Sequence, residues 1–118
     1  MTKLLLIGTA LLASITSAHA LECRSVGGHF DNQPVSAIRV VTISGAGITL
    51  NGIFNGERSP TRTLPCVRLK SGVLCERAFG PVNVSVMSNR DKLLEVVTDP
   101  AGNEIASVAY KCNGALRL

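Results

Sequence analysis

From Val82 to Val86 apolar residues alternate strictly with small polar ones, Val82-Asn83-Val84-Ser85-Val86. This is the two-residue period of a strand with one face inward and the other toward water. A few residues later, Leu93-Leu94-Glu95-Val96-Val97 is apolar at both parities apart from Glu95. That pattern predicts a strand central in its sheet, or one covered by a loop on its outer face. No window carries apolar residues at helical spacing. Turn chemistry recurs at Gly27-Gly28, Asp31 to Pro34, Gly45 to Gly47, Asn51-Gly52, Asn55-Gly56, Ser71-Gly72, Gly80-Pro81, Ser88 to Asp91 and Asp99 to Asn103. Between these points strands are predicted near 21–26, 35–44, 47–51, 62–70, 73–79, 82–88, 92–98 and 104–112. None of the connections is long enough to hold a crossover helix, so neighbours must pair as antiparallel hairpins. The fold class that follows is all-β, a small antiparallel barrel or sandwich of about 6–8 short strands.

The first 20 residues do not fit this scheme. Lys3 gives a short positive region, Leu4 to Ile15 an apolar run, and Ala18-His19-Ala20 a small-x-small cleavage site. These are the three parts of a cleavable secretory signal, which leaves residues 21–118 as a single β domain. The apolar run is too short for a membrane span, and Glu22 before Cys23 is the wrong neighbour for a lipid-anchored cysteine. Of the 98 residues that follow, Val, Ile and Thr supply 22 and Ala only 7, in keeping with a pleated, half-buried chain.

All four cysteines, Cys23, Cys66, Cys75 and Cys112, lie after the signal, and an even count in a small exported domain reads as two disulfides. Three pairings are possible. Cys66 with Cys75 and Cys23 with Cys112 is favoured, because the first pair brackets a hairpin and the second joins the chain ends. A zinc site would need closer cysteine spacing, so no metal and no cofactor is expected. An outer-membrane barrel is disfavoured too, since Phe30, Phe54, Phe79 and Tyr110 are too few to form two aromatic girdles.

Charge gives the lead on partners. After the signal there are 11 basic and 8 acidic residues, and the stretch from Glu57 to Arg77 holds five of the basic and two of the acidic ones. Arg58, Arg62, Arg68, Lys70 and Arg77 therefore surround the expected Cys66–Cys75 hairpin and are the candidate ligand-binding residues. Arg presents a planar fork that matches carboxylate and phosphate, so an anionic envelope component or an acidic protein is the expected partner. Nucleic acid is not expected, because only Phe79 supplies an aromatic near these cations. Catalysis has little to stand on. His29 is the one histidine after the signal, with Asp31 two residues away, and nucleophile elbow, P-loop, dinucleotide and zincin motifs are missing. Glu57, Glu76, Glu95 and Glu104 are the carboxylates that would have to converge for glycoside hydrolysis.

Lys70-Ser71-Gly72 resembles the Ser-Gly loop that periplasmic lysozyme inhibitors present to their enzyme. The resemblance covers three residues, while the lack of tryptophan and the basic balance depart from that family. It implies, as an alternative, an inhibitor of a secreted hydrolase. The expected function is thus an exported, periplasmic, non-enzymatic binding module that engages an anion through its basic hairpin. A small enzyme using His29 and Asp31 is the second alternative.

Overall fold

The computed structural model describes residues 20–45 and 47–118. The expected signal segment lies outside the described residues except for Ala20, which opens the first strand. Ten strands follow one another: β1 (Ala20–Phe30), β2 (Gln33–Pro34), β3 (Ala37–Ser44), β4 (Gly47–Phe54), β5 (Glu57–Arg58), β6 (Arg62–Leu69), β7 (Gly72–Phe79), β8 (Val82–Asn89), β9 (Lys92–Thr98) and β10 (Glu104–Cys112). β2 and β5 are two-residue extensions of β1 and β4. The other eight pair antiparallel in chain order, and β10 returns to β1, so the sheet closes as an eight-stranded up-and-down barrel. Of the two architectures left open by the sequence, the barrel is the one adopted.

Both disulfides join register partners. Cys66 faces Cys75 across β6 and β7, and Cys23 faces Cys112 across the β1–β10 seam where the barrel closes. The pairing favoured from chain topology is the one found. Two disulfides fit an oxidising, extracytoplasmic environment.

β1 and β4 run longer than their glycines predict. Gly27-Gly28 and Asn51-Gly52 were expected to be turns, yet all four residues lie inside strands. At Gly28 and Gly52 φ is +154° and +144°, and a Cβ there would collide with the carbonyl oxygens of Ser107 and Ile38. Glycine at these points lets one strand press against its neighbour where a small barrel bends sharply. The turn after β4 comes instead at Asn55-Gly56, both with positive φ, the two-residue hairpin geometry that suits the twist of the flanking strands.

The barrel has a filled end and an open end. Toward the end where β1 begins and β10 finishes, Val41, Ile48, Leu50, Leu64, Val84 and Val86 are all buried. The alternation over Val82–Val86 therefore points as the sequence predicts, with the valines inward. The tail after β10 closes this end: Leu116 is buried in the core and Leu118 packs against it. Asn113 holds the tail in place, its N–H donating to the Glu22 carbonyl (3.0 Å) and its Oδ1 accepting from the Glu22 N–H (3.1 Å).

β9 departs from expectation. Glu95, the polar exception in its run, points into the barrel and is 4% exposed, whereas Leu94 points outward at 38%. No loop covers that outer face among the described residues. The strand is apolar on both sides because one side faces the core and the other forms part of a surface stripe.

Candidate functional site

A charged network lies across the barrel interior. Arg39 on β3 donates from Nε and Nη2 to the two carboxylate oxygens of Glu95 (3.1 and 2.8 Å), a bidentate pair with both side chains buried. Its Nη1 donates to Ser59 Oγ at 2.8 Å, and from the filled side the Tyr110 hydroxyl donates to Glu95 Oε1 at 2.8 Å. Every buried side-chain polar atom among the described residues has a hydrogen-bond partner. Burial by itself lowers the Arg39 pKa, but the Glu95 charge and hydrogen bonds outweigh it and hold the guanidinium above its ordinary value. Burial first, and then the Glu95 charge, push the Tyr110 phenol well above its ordinary value.

Tyr110 is the sole tyrosine in the chain, which makes its ionisation directly observable. Folded Tyr110 keeps its proton where an unfolded tyrosine loses it, near pH ~10. Unfolding then releases a proton, so the Tyr110 contribution leaves stability unchanged below about pH 10 and lowers it as pH rises beyond that. Titration followed by tyrosinate absorbance is expected to show no ionisation of the folded protein near pH ~10, and a rise only as the barrel unfolds. An ordinary titration in the folded state would contradict the Tyr110–Glu95 contact.

Above this network the barrel is open. A cavity of about 670 Å³ occupies the end where β1 and β4 finish, with the Arg39–Glu95 pair as its floor. Its wall is apolar, formed by Phe30, Phe54, Val82, Val97, Ile105 and Val108. Phe30 and Phe54 stand at the tips of the two extended hairpins with their rings edge to face, centroids 6.1 Å apart. Arg39 lies over the Phe54 ring at 5.4 Å, so the floor also fixes one aromatic of the wall. The Asp31 N–H donates to the Ile105 carbonyl at 3.0 Å, tying the first hairpin to the start of β10. The rim carries Asp31, Glu57, Arg58 and Arg62.

The five candidate basic residues are divided between the two ends. Arg58 and Arg62 line the open cavity. Arg77 joins them, its guanidinium and that of Arg62 lying over the Phe79 ring at 5.3 and 5.1 Å. Neither Arg58 nor Arg62 forms an ion pair among the described residues. Arg68 and Lys70 are at the filled end, where Arg68 Nη2 donates to the Leu118 backbone oxygen at 3.2 Å. Lys70 and Ser71 form the exposed two-residue turn from β6 to β7 there, and Gly72, the last residue of the inhibitor-like tripeptide, opens β7.

The other sequence candidates disperse. His29 Nε2 lies 3.1 Å from Glu104, and Asp31 faces the cavity instead. Of the four glutamates, only Glu57 and Glu95 reach the same cavity, and Glu95 is held by Arg39. Glu76 accepts from Ser85 on the outer surface. No group of three His, Cys, Asp or Glu positioned for a metal occurs among the described residues.

Charge also sorts along the barrel axis. Arg24, Arg68, Lys70, Arg90, Lys92, Lys111 and Arg117 lie toward the filled end, against Glu22 and Asp91. Away from the internal pair, the open half holds Arg58, Arg62 and Arg77 against Asp31, Glu57, Glu76, Asp99 and Glu104. The excess of positive charge that the sequence places around one hairpin belongs in space to one end of the molecule. Comparisons with protein-family models, with curated proteins and with solved structures give no match for this chain.

Proposed function

We propose that the protein is an exported, non-enzymatic binding module that takes a small amphipathic anion in the open end of its barrel. The observation that carries this reading is the cavity itself: a barrel filled at one end and hollow at the other. Eight strands enclose just enough room for packed side chains or for one small ligand, and here the open end is left unfilled. Its volume lies within the usual range for small-molecule sites, which pair an apolar wall with a few placed polar groups. The wall takes the apolar body. Arg58 and Arg62 at the rim take the acidic group, Arg62 being steadied by the Phe79 ring. An anionic envelope component fits this description, and the cysteine pairing and expected signal segment support a periplasmic location.

Laurate tests the reading by titration calorimetry. The expected result is one laurate per chain, no binding of dodecylamine, and loss of laurate binding in Arg58→Glu/Arg62→Glu. Arg68→Glu/Lys70→Glu is expected to bind laurate as the parent does, since both residues sit at the opposite end. Equal uptake of the cation and the anion, or loss of binding only in the Arg68/Lys70 variant, would overturn the assignment.

A further inference from the structure

The outer wall of the barrel carries a continuous apolar row. Val67 on β6 faces Leu74 on β7, Leu74 faces Met87 on β8, Met87 faces Leu94 on β9, and Leu94 faces Ala109 on β10. Val26, in the bulge of β1 beside Ala109, extends the row and is 70% exposed. Val67 and Met87 are about half exposed. A shallow groove runs between Val26, Met87 and Leu94, edged by Lys92 and Lys111. Contiguous exposed apolar surface of this kind marks an interaction site.

The next outward row toward the filled end is cationic. Lys92 faces Lys111, and Lys111 faces Arg24, three like charges side by side in register. Like charges directly opposite one another are unfavourable, and only Asp91, 3.4 Å from Lys111, and Glu22, 2.8 Å from Arg24, offset them. Arg90 and Lys70 in the adjoining turns add to the same field.

We infer that this face, the apolar row with its cationic border, docks the protein on an anionic lipid bilayer. The lysine stems lie along the apolar row while their ammonium groups reach the headgroups, which is how such side chains behave at an interface. Parallel pairing with a second copy of the chain would set two like-charged rows against each other. The part of the row that lies beside the cations, Met87, Leu94, Ala109 and Val26 on β8, β9, β10 and β1, is a convex wall four strands wide, to which a fluid bilayer conforms. The open cavity lies at the other end of the barrel, away from the cationic border.

Co-sedimentation of the oxidised protein with vesicles tests this, using phosphatidylcholine alone and with about 30% phosphatidylglycerol. Binding is expected only to the anionic vesicles. Lys92→Gln/Lys111→Gln is expected to weaken it on the order of 25-fold. Met87→Ser/Leu94→Ser is expected to remove the part that survives about 500 mM salt. An unchanged thermal transition in each variant establishes that the barrel is intact. Equal binding to neutral vesicles overturns the inference, as does no binding by the folded protein to either kind. Concentration-dependent dimerisation that Met87→Ser/Leu94→Ser abolishes would instead assign the face to self-association.

Discussion

Replacing Glu95 with Ala is expected to destabilise the barrel by about 3–5 kcal/mol, because it strands the Arg39 guanidinium in the interior without its carboxylate. For a domain of this size the loss corresponds to a fall in Tm of roughly 15–30 °C. Domains typically hold only about 5–15 kcal/mol in total, so the variant will be close to unfolding at ordinary temperatures. Arg39→Met should cost a similar amount, since the Tyr110 hydroxyl alone then faces a buried carboxylate. The double variant Arg39→Met/Glu95→Leu is expected to be more stable than either single one, because the damage comes from the orphaned charge more than from the lost attraction. Urea denaturation of the four proteins checks this. Single variants within about 1 kcal/mol of the parent would show that the pair is not desolvated as described.

The second large effect concerns the seam. Cys23→Ala/Cys112→Ala is expected to cost about 4–5 kcal/mol, against about 2–3 kcal/mol for Cys66→Ala/Cys75→Ala, on a chain-entropy account of cross-linking. The difference follows from the loops they close, with sequence separations of 89 and 9. The seam bridge also fixes β1 to β10, the one pairing in the barrel that no hairpin enforces. Denaturant midpoints for the two double variants decide the order. A larger loss from the Cys66–Cys75 variant would show that strain or residual unfolded-state structure outweighs loop length.

The eight long strands are legible in the sequence because β-branched runs alternate with turn residues at short intervals, and a meander adds no long-range ambiguity. The disulfide pairing is legible for the same reason. Other features are hidden by the physics that creates them. Arg39 draws no notice in the sequence and Glu95 stands out only as the polar exception in its run, because nothing local to either one announces a partner 56 positions away. Gly28 and Gly52 read as turns because glycine serves both a positive φ at a chain reversal and close strand approach within a sheet. The basic set reads as one patch because its members lie close in sequence. A strand rises roughly 3.3 Å per residue, so Arg62 and Lys70 stand roughly 26 Å apart at opposite ends of the barrel. The cavity has no local signature at all, since it arises only when the sheet closes.

Closure at Cys23–Cys112 alters what the unfolded chain is. With that bond formed, the polypeptide from Cys23 to Cys112 is a ring, and the lone pairing between residues distant in sequence becomes as local as any hairpin. Contact order, which slows closed β topologies, falls to that of a chain of neighbouring hairpins. To the oxidised protein as it folds, there is no first strand and no last.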